Sequence, residues 1–440
     1  MNLESKQNRA RELALQILEE VFEEGAYSNI ALNKALKQSG LSSADKSLVT
    51  ELVYGTVARK ISLEWQLAHW VEDRDKLDNW LYILLELSLY QMLYLDKIPQ
   101  HAVVNEAVEI AKGRKRGSEK YVNAILRKIE RDGAADPTTI NRKNKRYSVQ
   151  YSLPVWLVKV LIDEYGEKRA EAIFASLFER NKASIRVTDV ARKEEIKAVL
   201  GADDSLLAPS ALVKKQGHFA GHEFFEKGLI TIQDESSQLV APTLQIEGYE
   251  QILDACSAPG GKAVHMASYL TSGQITALDL YVHKLNLIRQ NAERLGLADK
   301  ITTKKLDATK VFETFGPNAF DKILVDAPCS GIGLIRRKPD IKYNKENADF
   351  ENLQKIQLDI LDSVCQSLRK GGIITYSTCT IVSAENFEVV KKFLERHPNF
   401  EQVRLEHERE DIVKDGCILI TPELYGSDGF FISQFRKISD

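Results

Sequence analysis

Cysteine is scarce in this chain of 440 residues. The five are Cys256, Cys329, Cys365, Cys379 and Cys417, and none precedes position 256. No Cys-x-x-Cys pair occurs, so neither a disulfide framework nor a zinc ribbon is indicated, and a reducing, cytoplasmic setting is expected. No run reaches the ~20 apolar residues of a membrane span. The most apolar stretch, Leu81 to Leu95, is shorter and carries Glu86, so it reads as a buried helix. Met1 to Glu20 is charged and has no apolar signal core. Net charge is small: 60 Lys+Arg stand against 63 Asp+Glu, giving -3. A strongly basic chain would argue for nucleic acid by itself; here that reading must rest on local clusters. Gly-x-Gly-x-x-Gly is absent, which weakens a dinucleotide site, and Gly-x-x-x-x-Gly-Lys-Ser/Thr is absent, which sets aside a P-loop ATPase.

What is present is an ordinary globular balance, long enough for two to four domains at ~100–200 residues each. The first 132 residues are helical in pattern and low in glycine. Leu13, Ala14, Ile17, Leu18, Val21 and Phe22 recur at helical spacing. Asp45–Arg59 carries Leu48, Leu52, Val53 and Val57 on one face, and Ala102–Lys112 and Glu119–Glu130 continue the pattern. A compact helical bundle is predicted over 1–132. Arg131 to Arg146, with Gly133, Pro137 and the run Arg142, Lys143, Lys145, Arg146, marks a boundary. Residues 133–228 read as a linker and small α+β domain: Trp156–Glu179 helical, Ala183–Val187 a strand, Lys193–Leu200 helical. From 229 to 440 strands and helices alternate. Ile252–Asp254, Ile275–Leu280, Ile301–Leu306, Lys322–Asp326, Ile373–Ser377 and Phe430–Phe435 are the strands. Alternation predicts a mostly parallel sheet with helices on both faces.

The segment Leu253-Asp254-Ala255-Cys256-Ser257-Ala258-Pro259-Gly260-Gly261-Lys262 ends a strand and opens a helix. Ligands of open α/β sheets bind beyond the carboxyl ends of strands, and paired glycines let backbone approach a ligand closely. Asp279, Asp307 and Asp326 close the next three strands. A single strand-terminal Asp is ordinarily a turn former; the repetition is what points to a site. Asp279 suits ribose hydroxyls and Asp307 an adenine amino group.

Two thiols share that rim. Asp326-Ala327-Pro328-Cys329-Ser330-Gly331 follows one strand, and Tyr376-Ser377-Thr378-Cys379-Thr380 follows the next. Cys365 and Cys417 read as small buried hydrophobes. Together Asp254–Lys262, Asp326–Gly331 and Ser377–Thr380 resemble the RNA 5-methylcytosine methyltransferases of the NOL1/NOP2/Sun family. Gln233-Asp234, Arg336–Tyr343, Glu385-Asn386 and Asp428-Gly429-Phe430-Phe431 extend the resemblance over the C-terminal half. Departures are small: Ser257 for the usual alanine, Ala263 for threonine, Lys338 for histidine. The resemblance implies a Rossmann-like, S-adenosylmethionine-dependent catalytic domain. It makes Cys379 the nucleophile, Cys329 the residue that assists product release, and Asp326 the group that polarises the cytosine. The cofactor would contact Cys256 to Lys262, Asp279, Asp307 and Asp326. Such chemistry suits covalent catalysis by an activated thiolate. DNA cytosine methyltransferases use the cysteine of a Pro-Cys pair, here Cys329; the chemistry alone accepts either thiol, and only the resemblance chooses Cys379.

Three basic clusters suit phosphate contacts: Lys112, Arg114, Lys115, Arg116; Arg142, Lys143, Lys145, Arg146; and Arg336, Arg337, Lys338. The third, between the two cysteine loops, is the foremost candidate for substrate contact. Ala10–Val21, Asp45–Tyr54, Leu84–Ile98, His101–Ala111 and Lys120–Ile129 resemble the NusB family of helical RNA-binding factors. The pairing of the two resemblances implies 16S ribosomal RNA as substrate, with cytosine 967 as the position, in a single-stranded or looped region. A protein-docking bundle, another RNA such as transfer RNA, and a non-catalytic antitermination factor are the alternatives. DNA and membrane partners are not expected, and a monomer is. His218 and His222, four apart, lack the further ligands of a metal site, so no metal is expected.

Overall fold

A computed structural model describes residues 3–439 apart from 216–218 and 220. The chain forms two compact units. One is Met1–Ala170 with Arg337–Asn344; the other is Glu171–Arg336 with Lys345–Asp440.

The first unit is helical. Its elements are α1 (Leu3–Glu23), α2 (Ser28–Gln38), α3 (Ser43–Leu67), α4 (Asn79–Tyr94), α5 (Gln100–Arg114), α6 (Ser118–Asp132), α7 (Lys143–Tyr151) and α8 (Val155–Tyr165). The starts and stops follow local chemistry. The Ser42 side chain accepts from the Asp45 N–H and caps α3, and Gly133, at φ 78°, ends α6. The apolar Leu81–Met92 run is buried all round, as its composition predicted, and forms the centre of the bundle. Ala14, Leu18, Leu52, Val53, Leu85, Val104 and Leu126 are fully shielded around it. Each such leucine or valine contributes about 1.5–3 kcal/mol by leaving water.

The short turn Pro339–Tyr343 belongs to this helical unit. Tyr343 Oη donates to the Val57 carbonyl at 2.8 Å and Lys342 Nζ to that of Ala58 at 2.7 Å. Ser28 donates to Asp340. Residues 133–228 are shared: α7 and α8 lie in the first unit, and a small sheet lies in the second.

That small sheet is antiparallel, in the order β2 (Asp203–Asp204), β3 (Ala211–Lys214), β1 (Ala183–Val187), β4 (Ile230–Ile232). Beside it in the second unit is a nine-stranded sheet. It is built from β5 (Gln251–Asp254), β6 (Gln274–Asp279), β7 (Ile301–Lys305), β8 (Phe320–Asp326), β9 (Leu368–Thr378), β10 (Phe400–Val403), β11 (Val413–Lys414), β12 (Cys417–Ile420) and β13 (Phe430–Lys437). The order is β11-β12-β13-β9-β8-β5-β6-β7, with β10 on β13. The five strands from β9 to β7 are parallel. The last strand, β13, runs antiparallel to β9, a direction that hydrophobic alternation does not encode. From β5 the chain moves outward through β6 and β7, then returns to β8 on the other flank of β5. The order therefore reverses at the β5/β8 pair, and a crevice opens at the carboxyl ends of those strands.

Candidate active site

Asp254 ends β5 and Asp326 ends β8, so the two loops that begin there flank the crevice. The β5 loop is stitched to its neighbours: Ala255 N–H donates to Leu324 O and Ser257 N–H to Leu278 O, both at 2.9 Å. Gly260 sits at φ +98°, and a Cβ there would lie 3.0 Å from Ile288 Cα. Only glycine lets the following helix, Gly261–Ala267, start so close to its neighbour.

A cleft of about 530 Å³ lies beyond these strand ends. Of the residues singled out in the sequence, Cys256, Ala258, Asp279, Asp307, Asp326, Cys329 and Cys379 line it. Ser257, Pro259, Gly260, Gly261 and Lys262 are not in its wall; they shape the loop behind it, and Lys262 joins through Asp326. Asp279 accepts from the Tyr281 N–H at 2.9 Å, and Asp307 accepts from Thr309 N–H and Oγ1 at 2.9 and 2.8 Å. Each thus forms its turn with one carboxylate oxygen. The other oxygen of each makes no hydrogen bond among the described residues. Leu280, Tyr281, Ile356 and Ile360 supply apolar wall. Sequence reading missed these four. Leu280 and Tyr281 carry a signal, as large apolar residues just past a strand-ending Asp; Ile356 and Ile360, a turn apart on a helix, have the spacing of a core face.

Asp326 is held from two sides, by Lys262 Nζ at 2.7 Å and Ser377 Oγ at 2.8 Å. Lys262 also lies 5.1 Å over the Phe430 ring. Burial works against its ammonium, but the Asp326 charge outweighs that, and its pKa rises above the usual lysine value. Asp254 behind them is fully buried, and burial pushes its carboxyl up to about 7.

Cys329 and Cys379 are free thiols whose sulfurs lie 3.2 Å apart. The hydrogen bond to the Cys379 sulfur, and then burial, hold the Cys329 pKa well above the usual thiol value. Cys256 is also a free thiol of the cleft, pushed up by burial and by the carboxylates of Asp254, Asp326, Asp279 and Asp307. Cys365 and Cys417 are buried, which raises them to about 12 and about 11.

A buried acid ties the two thiol loops together. Glu385 accepts from Ser330 N–H at 2.8 Å, Ser330 Oγ at 2.5 Å and Gln357 Nε2 at 3.2 Å. Ser330 Oγ also reaches Thr380 Oγ1 at 3.0 Å, beside Cys379. Asn386 Nδ2 donates to Thr380 O at 2.9 Å while its Oδ1 accepts from Thr378. Gly333 N–H donates to Cys379 O at 3.1 Å, and Gly429 N–H to Gly333 O at 2.8 Å.

One expectation needs correction. Arg336 is buried and spends its guanidinium on the carbonyls of Ser176 and Pro422, so it is a framework residue rather than a substrate contact. In the first cluster Arg114 pairs with Glu19 and Lys115 with Asp78, while Lys112 and Arg116 are exposed. His218 lies outside the described residues, and His222 caps a short helix. Among the described residues there is no cluster of three metal-binding side chains, and no helix is long and apolar enough to cross a membrane.

A cleft at the switch point of a Rossmann-like sheet, with one free carboxylate oxygen on each of two strand ends, fits the ribose and base of an adenosyl group. Fold and cleft define an S-adenosylmethionine-dependent methyltransferase. Residues 241–436 match the family described as 16S rRNA methyltransferase RsmB/F, and residues 8–131 match the NusB family. The probable ribosomal RNA small subunit methyltransferase B of Bacillus subtilis strain 168 is 42% identical, covering 98% of this chain and 99% of its own. The solved structure of PH0851 superposes with a TM-score of 0.83 at 25% identity, over 99% of this chain and 100% of that one. NSun6 from Pyrococcus horikoshii, solved with SFG, shares the fold at a TM-score of 0.58 and 21% identity, over 65% of this chain and 99% of that one. The chain belongs to the ribosomal RNA small subunit methyltransferase B family. It is an S-adenosylmethionine-dependent RNA methyltransferase with a NusB-like helical region.

Proposed function

We propose that this enzyme methylates carbon 5 of a cytosine in small-subunit ribosomal RNA, cytosine 967 of 16S rRNA, through a covalent adduct on Cys379. The observation that carries the reading is the pair of thiols 3.2 Å apart, which line the same cleft as Asp326. When bound, S-adenosylmethionine supplies a methyl group on a sulfonium. Carbon 5 of cytosine is too weak a nucleophile to take it unaided. Addition of the Cys379 thiolate at carbon 6 would make carbon 5 an enamine carbon, which could then take the methyl group as the sulfur–methyl bond breaks and a neutral thioether leaves. Transfer of the carbon 5 proton to a base, water in the simplest case, and departure of the thiolate from carbon 6 would complete the reaction. Asp326, held by Lys262 and Ser377, would hydrogen-bond and polarise the ring. Cys329, its sulfur 3.2 Å from that of Cys379, would assist departure of the Cys379 thiolate at the end.

In this reading residues 1–132 hold RNA, 229–440 carry the chemistry and 133–228 connect them. The enzyme works as a monomer in the reducing cytoplasm, on a looped or single-stranded site from which the cytosine is extruded. RNA carrying 5-fluorocytosine tests the assignment. Cys329→Ala should trap the adduct and Cys379→Ala should form none; an adduct with Cys379→Ala sinks the choice of nucleophile. Mapping 5-methylcytosine in ribosomal RNA after deletion of the gene tests the substrate, and unchanged methylation at cytosine 967 rejects it.

A further inference from the structure

The helical unit contains a second pocket, remote in sequence from the thiols. It measures about 240 Å³ and is lined by Phe22, Lys60, Arg74, Asn79, Tyr82 and Glu86, with Glu23 and Glu64 among the remaining walls. That is below the 300–1,000 Å³ or so of a site for drug-sized ligands, so it suits a single ring system. Glu86 is the one acid of the apolar α4 run, 1% exposed, and its Oε1 makes no hydrogen bond in the described structure. An acceptor left unmade in a buried position costs roughly 1–3 kcal/mol, a cost that a ligand carrying an N–H donor would remove. The cations of the pocket do not meet this need. Lys60 pairs with Glu64 and lies 5.0 Å over Phe22. Arg74 donates to Asn79 Oδ1 at 2.8 Å and lies 4.2 Å over Tyr82.

The surroundings indicate what kind of ligand. Arg114 pairs with Glu19, one turn before Phe22 and Glu23 on α1, and Lys115 pairs with Asp78, next to Asn79. Arg114 and Lys115 are thus tied to chain neighbours of the pocket's lining residues, and Lys112 and Arg116 of the same cluster are exposed. Cations at a rim suit phosphates. Arginine planes and aromatic rings, both present in the lining, are surfaces on which unpaired bases stack. Burial raises the Glu86 carboxyl to about 8, so near neutral pH it keeps one accepting oxygen, and an exocyclic amino group is the N–H donor that a base projects furthest from its ring. Adenine, cytosine and guanine carry one; the pairing edge of uracil presents two carbonyls flanking a single N–H.

We propose that this pocket binds one extruded base of the RNA, that the base bears an exocyclic amino group which donates to Glu86, and that residues 112–116 hold the adjoining phosphates. The site is separate from the cleft where methyl transfer is proposed, and it would anchor the RNA at a second nucleotide.

Fluorescence anisotropy of the full chain with labelled tetranucleotides of A, C, G or U tests this without any need for turnover. At least one of the A, C and G oligomers should bind about tenfold more tightly than U, in line with one well-placed base contact. Which of the three leads identifies the base. Glu86→Met, shown by its melting curve to be folded, should abolish that preference while leaving U binding unchanged. Glu86→Gln, which keeps an acceptor oxygen, should retain most of it. Equal affinity for all four, or a preference that survives Glu86→Met, overturns the proposal. So does an arginine tetrapeptide that binds in a Glu86-dependent way while the oligonucleotides show no preference, since the pocket would then be a protein-docking site. Adduct formation on 5-fluorocytosine RNA is read separately, so failure here leaves the assignment of Cys379 standing.

Discussion

Two buried acids near the thiols behave differently because of what surrounds them. Asp254 has no hydrogen-bond partner for either oxygen among the described residues. Burial, with repulsion from Asp326, raises its carboxyl from an ordinary 3.8 to about 7, despite the opposing charge of Lys262. Between about pH 4 and 7 the folded chain keeps this proton after the unfolded chain has lost it. Stability from this group is therefore full below pH 4 and falls as pH rises through 7. Asp254→Asn should remove that slope, raising the melting temperature at pH 8 and leaving it unchanged below pH 4. Melting curves across that range check it, and an equal shift at both ends would refute it. Glu385, in contrast, is paired on every side: burial raises its carboxyl, and Ser330 and Gln357 oppose the rise. Glu385→Gln places an amide against the Ser330 donors, at a cost of roughly 1–3 kcal/mol. Glu385 is outside the cleft wall, so the variant should bind S-adenosylmethionine normally by calorimetry yet form the 5-fluorocytosine adduct several-fold to a hundredfold more slowly. Weakened cofactor binding would show that its role is not confined to the thiol loops.

Among the elements, two loops and a strand start are locked by backbone rather than side chains. A Cβ on Gly333 would come within 2.8 Å of Cys379 O, and one on Gly429 within 2.6 Å of Gly333 Cα and 2.7 Å of Ile381 Cγ2. Neither glycine has a positive φ, so the constraint is close approach alone. Gly333→Ala should displace the Cys379 loop. Single-turnover methyl transfer should fall at least tenfold with little change in cofactor affinity, and retention of the wild-type rate would show that the loop tolerates the shift. This packing was not legible in the sequence, because it joins segments about fifty and ninety-five residues apart. The strand ends were legible: Asp254, Asp279, Asp307, Asp326, Cys329 and Cys379 follow short apolar runs, and chain order alone puts such residues at one rim of a parallel sheet. What escaped was set by tertiary contact. The stretch Trp156–Glu179 reads as one helix but breaks at Gly166, at φ 75°. Ile356 and Ile360 look like core because an apolar cleft wall and a core face share the same helical period.

At the scale of the whole molecule, the first unit is assembled from two distant pieces of chain, 1–170 and 337–344. Local periodicity cannot reveal that, since the second piece is a single turn whose partners lie more than 180 residues away. Its contribution is open to measurement. Tyr343 packs against the helical core, donates to Val57 O at 2.8 Å and lies 3.2 Å from Ser152 Oγ. Lys342 next to it is buried, and burial holds its amine well below the usual lysine value. All four tryptophans, Trp65, Trp70, Trp80 and Trp156, fall within 1–170, so tryptophan fluorescence follows the unfolding of this unit. Removing a half-buried aromatic ring costs about 2–3 kcal/mol, less than the 3–5 kcal/mol of a fully buried one. Tyr343→Ala should therefore move the fluorescence transition to lower urea with an unchanged slope. Tyr343→Phe, which loses only the hydroxyl and leaves the Val57 carbonyl wanting a donor, should cost about 1 kcal/mol. A tryptophan transition that stays in place in Tyr343→Ala, while the rest of the chain unfolds earlier, would mean that the segment stabilises the catalytic unit instead.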